Sequence, residues 1–300
     1  MNRIIDVSLA RSRAGRVAAR WIAALTPVLC CAVAARDLPT WAYMWLLAAS
    51  MFAGAKWIVA ADYFGSGNAN PWRLAAFLFL WPGLNAEKFL FRTAMTPTLG
   101  EWFAATGKTV FGAVILWGGL RLIPASHPVL LGWGGLVGTA FLLHFGLFHL
   151  LSIAWRAAGF DAARIMSNPI RATSLAGFWG GRWNKAFNDL MGPHVFRPLA
   201  QSVGTVAATI GVFLFSGLLH EMVISLPARG GFGLPTIYFG LQAAGLFFER
   251  SRRGRRLGLG RGWRGWLFTV TVAALPAYWL FHPIFIRNVI LPMLRAIGAI

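Results

Sequence analysis

Apolar residues recur along this chain in long, uninterrupted runs. The run 130–153 is apolar on every side, and comparable runs return from one end of the chain to the other. A helix rises 1.5 Å per residue, so about 20 such residues cross a hydrocarbon core about 30 Å thick. A membrane β-barrel would show alternating segments of about 10 residues instead. The pattern therefore predicts an all-α, polytopic transmembrane bundle. Its spans are expected at 21–35, 41–61, 109–123, 129–153, 199–226, 232–248, 265–281 and, more weakly, after Pro283, about eight in all.

The interruptions refine this reading. Arg36, Asp37 and Pro39 make a turn between the first two runs, and Pro124 and Pro128 join the third to the fourth. The apolar segment 73–84 is too short to cross and is broken by Pro82-Gly83, which predicts a re-entrant or interfacial piece. The stretch 154–198 is mixed and Arg-rich. No long polar stretch leaves room for a soluble domain, so residues 1–300 read as a single membrane-embedded domain.

The composition agrees: 57% hydrophobic, 12% charged, with 15 Trp and 24 Phe. A net charge of +19 could indicate a nucleic-acid partner, but in a membrane protein Lys and Arg gather on the cytoplasmic side beside anionic head groups. Membrane lipids are the expected partners of those cations, and nucleic acid is not. If the N-terminus, with Arg3, Arg11, Arg13, Arg16 and Arg20, is cytoplasmic and 73–84 does not cross, the positive loops 85–108, 154–198 and 249–264 share its side. The basic start followed by an apolar run looks like a signal peptide, but without a convincing small-residue cleavage site it reads as a retained first helix. Cys30 and Cys31 are vicinal in a predicted helix and read as packing residues, since neighbouring positions suit a disulfide poorly.

Against this background a few polar residues stand out. In Phe213-Leu-Phe-Ser-Gly-Leu-Leu-His220-Glu221, an imidazole and a carboxylate lie inside an apolar run. A charge at the centre of a membrane helix costs about 2.5–3.5 kcal/mol on insertion scales, so such groups are functional candidates. Glu221 points about 100° away from His220 around a helix and is expected to partner another polar group, such as an Arg or Asn, on a neighbouring helix. Ser216 stands one turn before His220, close enough to hydrogen-bond to it, but is no nucleophile elbow. The segment 174–187 gathers Trp179, Arg182, Trp183, Asn184 and Lys185, a set suited to a membrane interface where cations can reach phosphate. His144 and His149 are five apart, which misses the i, i+4 spacing of a helical zinc pair, so they read as core histidines and no metal site is expected. His127, His194 and His282 adjoin prolines at span ends, where interfacial solvation accounts for them.

Phe178-Trp-Gly-Gly-Arg-Trp-Asn184 followed by Ser216-Gly-Leu-Leu-His-Glu221 resembles the membrane-bound O-acyltransferase family, and within it the wax-synthase-like branch of long-chain-alcohol O-fatty-acyltransferases. Trp81-Pro-Gly-Leu-Asn-Ala86 and Phe281-His-Pro-Ile-Phe-Ile-Arg-Asn288 resemble the same branch, and the four pieces occur in its order. The resemblance implies a helical bundle with a substrate tunnel, acyl-CoA entering from the cytosol as co-substrate, a lipid or long-chain alcohol as acceptor, and no other cofactor. It places the family histidine at His220 and the family asparagine at Asn184. Of the family's F-W-G-R-R-W-N, the second Arg is Arg182 and the first is replaced by Gly181, which puts a donor contact there in doubt.

Acyl transfer from a thioester to a hydroxyl needs a base for the hydroxyl proton and donors for the oxyanion. A buried imidazole rests neutral and can serve as that base. Asn184 can either donate to the thioester carbonyl or orient the ring of His220. Arg182 and Lys185, with Arg171 beside them, are candidates for the donor's phosphates, and Trp179 and Trp183 for its contact surface. The alternative is a small transporter or channel, with His220, Glu221 and Asp62 lining a polar pathway.

Overall fold

The computed structural model describes residues 2–64 and 67–300, with side chains from residue 15 onward, and among these every regular element is helical. The side chains of Arg3, Arg11 and Arg13 lie outside the described residues. In chain order the principal helices are α1 (Asn2–Ala34), α2 (Thr40–Ala60), α3 (Pro71–Leu80), α4 (Ala86–Phe91) and α5 (Leu99–Trp117). They continue with α6 (Pro128–Ala157), α7 (Lys185–Ala228), α8 (Leu234–Arg250), α9 (Gly262–Leu280) and α10 (Pro283–Ala296).

Five of these segments are long and apolar enough to cross a membrane alone: 15–34 of α1, 40–63 around α2, 99–122 around α5, α6 and α7. All eight apolar runs are helical, and the last two, α9 and α10, meet at a 57° bend, as a broken span or a re-entrant loop, so that among the described residues five helices, or six with that pair, are long and apolar enough to cross. The run 232–248 becomes α8, a helix of 17 residues. Pro283 sits at the bend between α9 and α10. Most spans leave much of their surface uncovered, with Val206, Ile210, Leu214 and Leu218 of α7 all facing outward, as a lipid-bathed bundle requires.

Local chemistry sets the helix ends. The third span starts ten residues earlier than expected, at Leu99, because Thr98 and Glu101 form a reciprocal capping box: Glu101 N–H donates to Thr98 Oγ1 and Thr98 N–H to Glu101 Oε2, both at 3.3 Å. α7 is not the simple span 199–226. It starts at Lys185, runs through a π-helical turn at Gly192–Phe196, and bends at Gly204, whose φ of 82° lies in the left-handed region.

The short helix α3 stays at one end of the bundle, with Trp72 and Phe79 exposed, in keeping with an interfacial segment. It is held by Lys56 of α2, which is 3% exposed and donates to the carbonyls of Phe77 (2.7 Å) and Gly83 (2.6 Å) with the Phe77 ring 3.5 Å away. These contacts meet carbonyls left open where α3 stops at Trp81-Pro82. Of the two cysteines, Cys31 packs beside Tyr43 and Leu47, whereas Cys30 is exposed and is no packing residue.

Hydrogen bonds sort the connecting segments into two ends. At one, Arg20 pairs with Asp62, Arg156 with Glu101 at 3.0 Å, Trp155 donates to Leu80 O and Trp266 to Ile170 O. At the other, Arg229 donates to Arg36 O, Asn288 to Ala228 O and Thr40 to Asn288 O. The positive loops therefore lie together, as the parity of the spans requires. With the native cysteines replaced by Ser, single cysteines at Met95 and Arg255 should react with an impermeant maleimide from one face of the membrane. Cysteines at Ala125 and Arg229 should react from the other. Labelling that splits either pair would break this arrangement.

Candidate functional site

A cavity of about 910 Å³ opens inside the bundle, walled almost wholly by aromatic and aliphatic side chains. Three of the four motif pieces meet on it: Phe178 to Asn184, Ser216 with His220, and Phe281. The fourth packs behind the wall, where Asn85 Nδ2 donates to Asp189 Oδ1 at 3.1 Å and ties Trp81–Ala86 to the first turns of α7.

His220 lies on α7 at the start of a π-helical turn, Glu221–Ser225, a distortion frequent at functional sites. Its Nδ1 is 2.7 Å from the Ser216 carbonyl oxygen. A carbonyl only accepts, so Nδ1 carries the proton and Nε2 keeps a lone pair for the cavity that the residue lines. Ser216 thus holds His220 through its backbone and not its hydroxyl, which donates to Val212 O at 3.0 Å. The ring rests against Phe239, with centroids 4.6 Å apart.

Asn184 also lines the cavity, as the N-cap of α7. Its backbone is left-handed, φ 42° and ψ 62°, a conformation Asn tolerates better than most residues. Its Oδ1 accepts the Phe187 N–H at 3.2 Å, so the oxygen is committed to the cap and the two Nδ2 hydrogens are left for other acceptors. One turn on, Asn188 Nδ2 donates to the carbonyls of Trp179 (2.6 Å) and Trp183 (3.4 Å), folding the aromatic segment onto the same turn.

The remaining site residues separate by position. Trp179 and Trp183 line the cavity, the first donating from Nε1 to Gln242 Oε1 at 3.3 Å and the second stacked on Phe178 at 5.6 Å. Arg182 lines no described cavity. It donates to the carbonyls of Ser167 (3.3 Å) and Asn168 (3.4 Å), bracing the backbone beside the cavity. Lys185 faces a separate polar cleft of about 420 Å³ with Arg156, Arg164, Glu101 and Asp161. Arg171 is exposed and lines neither space. At Gly181 an added Cβ would meet nothing within 4 Å.

One expectation is made specific here and one is corrected. Glu221 meets polar groups at a neighbouring helix, though neither an Arg nor an Asn: its Oε1 accepts Gly233 N–H (3.0 Å), Thr236 N–H (3.1 Å) and Thr236 Oγ1–H (2.9 Å), fastening the start of α8, which carries Phe239, while Oε2 is buried without a partner. His282 is not solvated but 1% exposed, its Nδ1 accepting the Phe285 N–H at 3.1 Å. His149, 6% exposed, is a core residue as expected, and among the described residues no cluster could hold a metal ion. Of the three residues considered for a polar pathway, only His220 lines the cavity: Asp62 is paired with Arg20, and Glu221 Oε1 accepts from Gly233 and Thr236 while its Oε2 is buried without a partner.

Sequence reasoning missed Gln242 and Glu249. Gln242, wholly buried, bridges Trp179 to the Val272 carbonyl (2.7 Å), and Glu249 accepts the amides of Leu175 (2.6 Å) and Ala176 (3.4 Å) ahead of the aromatic segment. Each is a lone polar residue in or beside an apolar run, the same signal that singled out His220.

Replacing Glu221 with Ala leaves three donors at the start of α8 without their acceptor. It should lower thermal stability in detergent, by about 1–3 kcal/mol for each donor left buried and unpaired. Glu221→Gln, which keeps an acceptor oxygen, should lose less. Equal melting of the wild type and Glu221→Ala would show that this carboxylate does not fasten the helix.

Comparison with known proteins bears on the same region. Residues 162–240 match the Membrane bound O-acyl transferase family. A probable long-chain-alcohol O-fatty-acyltransferase of Arabidopsis thaliana is 31% identical over 147 residues, 43% of this chain and 42% of the relative. An acyl-CoA–sterol O-acyltransferase of the same plant is 29% identical over 154 residues (44% and 43%), and a long-chain-alcohol O-fatty-acyltransferase of Simmondsia chinensis 28% over 100 residues (29% and 28%). The chain spans less than half the length of each of these relatives. The matched region runs from the wall of the polar cleft through Asn184 and His220 to the start of α8, and it contains two of the four motif pieces that resemble this family.

Proposed function

We propose that the chain is an integral-membrane O-acyltransferase that moves an acyl group from acyl-CoA to the hydroxyl of a lipid or long-chain alcohol, with wax-ester formation as its reaction. The observation that carries this is the convergence of His220 and Asn184 on one apolar cavity, the imidazole held in the tautomer that leaves Nε2 unprotonated. The names of the relatives supply the chemistry such a site would perform.

In this reading the acceptor hydroxyl gives its proton to His220 Nε2 as its oxygen attacks the thioester carbon. The tetrahedral oxyanion accepts hydrogen bonds from Asn184 Nδ2. The C–S bond then breaks, the imidazolium returns the proton to the departing thiolate, and ester and free CoA result. The Ser216 carbonyl already orients the imidazole, and the Asn184 oxygen is held by the cap, so donation to the oxyanion is the role for Asn184 that the hydrogen bonds support. The Ser216 hydroxyl is engaged within its own helix, which favours direct transfer without an acyl-enzyme. Trp179 and Trp183 give the acyl chain aromatic walls, and Lys185 stands where the donor's polar end would emerge. The Arg-rich end of the bundle faces the cytosol in this scheme, as does the N-terminus.

The test is ester formation by the purified protein in lipid, supplied with acyl-CoA and either long-chain alcohols or sterols, read by product mass and CoA thiol release. Alcohol esters should dominate. His220→Gln should remain folded and lose roughly 10²–10⁴-fold in rate. Asn184→Gly keeps the left-handed backbone, costs the cap only a few tenths of a kcal/mol, and should lower kcat by about 10²–10³-fold. Wild-type rates in a folded His220→Gln protein would eliminate the mechanism.

A further inference from the structure

The polar cleft and the apolar cavity are neighbours. Their partition is two backbone segments joined by hydrogen bonds, Ser167 N–H to Arg182 O (2.8 Å) and Lys185 N–H to Ile165 O (2.9 Å), with the Arg182 guanidinium bracing it. Consecutive residues face opposite sides: Asn184 lines the cavity and Lys185 the cleft, while Ser167 lines the cleft and Pro169 the cavity. A ligand crossing this partition beside Asn184 would have one end in an aromatic, water-poor space and the other among charges.

The charges of the cleft are unevenly matched. Arg156 and Glu101 neutralise one another through their 3.0 Å ion pair, although Arg156 Nε is buried without an acceptor. Arg164 and the Lys185 ammonium have no hydrogen bond or ion pair among the described residues; within the cleft, Glu101, already paired with Arg156, acts on Arg164 only through space, and Asp161 is the other anion. Both cations are partly exposed and come from segments that the partition fixes in place. Two held cations without partners beside an unpaired Nε–H suit a ligand bearing several phosphates, and Asp161 could accept from a ribose hydroxyl or a base amino group.

We infer that this cleft binds the phosphorylated nucleotide end of the thioester donor, with Arg164 and Lys185 as its specificity-determining cations. The inference rests on the acyl-transfer reading for the identity of the donor. It gives the cations a division of labour: Lys185 and Arg164 contact phosphate, whereas Arg182 acts on the wall. The thioester would then lie at the partition, next to Asn184, with the acyl chain on the far side.

Equilibrium binding of CoA to the detergent-solubilised full chain, by titration calorimetry, tests this without any turnover. CoA should bind the wild type, and pantetheine, which lacks the phosphates and the nucleotide, should bind far more weakly. Arg164→Gln and Lys185→Gln should each weaken CoA binding roughly ten-fold or more, as expected for one lost hydrogen bond to a charged group. Lys185→Arg should recover much of the loss, and Arg121→Gln at the other end of the bundle should change nothing. CoA binding unaltered by both neutral variants, or equal affinity for CoA and pantetheine, would overturn the assignment. CoA binding that depends on Arg164 and Lys185 in a protein that forms no ester would uphold the cleft and refute the acyl-transfer reading, so the two fail separately.

Discussion

A polar group inside a membrane bundle has no water to fall back on, and leaving one unpaired costs several kcal/mol. This constraint organises the interior. Lys56 is spent on the carbonyls at the end of α3, Glu221 on the amides at the start of α8, Glu249 on those of Leu175 and Ala176, and Gln242 on Trp179 and Val272. The first three act where a helix begins or stops, and Gln242 joins the Trp179 indole to the backbone of α9. The polar residues buried in the spans are therefore mostly fasteners. Nε2 of His220 and Nδ2 of Asn184 are set apart because the partner atoms of both residues are committed elsewhere and the remaining ones face a cavity.

The same constraint explains why the site is built on distorted helices. His220 begins a π-helical turn, and Asn184 sits in a left-handed conformation at the entry to the same long helix. α7 thus supplies both residues, from its N-cap and from beyond the bend at Gly204, and the chain between them closes around the cavity. Phe239, delivered by α8, presses on the imidazole, and α8 is in turn fastened by the carboxylate next to that imidazole.

Much of this was legible before the structure. Uninterrupted apolar runs are a strong signal because crossing a membrane demands length and composition together, and every expected run is a helix. His220 and Asn184 stood out as candidates because a polar residue in an apolar run, and an ordered set of motifs, are both visible without coordinates, and the structure brings both to one cavity. What was not legible depended on backbone partners far away in sequence. The acceptor role of Glu221 needs the amides of Gly233 and Thr236, the burial of His282 needs Phe285 and the loop at Gly231, and the bracing role of Arg182 needs two carbonyls some fifteen residues earlier. A cation looks the same in a sequence whether it holds a wall or a ligand. Lys56, Gln242 and Glu249 were visible by the argument used for His220 but lacked a motif to draw attention to them. The early start of α5 was also written in the chain, as Thr98-Leu-Gly-Glu101, ahead of the hydrophobic run that outweighed it.

The most direct measurement is the structure of the protein with a non-hydrolysable acyl-CoA analogue bound. The account predicts its acyl chain in the aromatic cavity, the carbonyl oxygen about 2.7–3.1 Å from Asn184 Nδ2, and the reacting carbon on the side of His220 Nε2 with room for a hydroxyl between. An analogue whose carbonyl lies elsewhere in the cavity, out of reach of both residues, would contradict it.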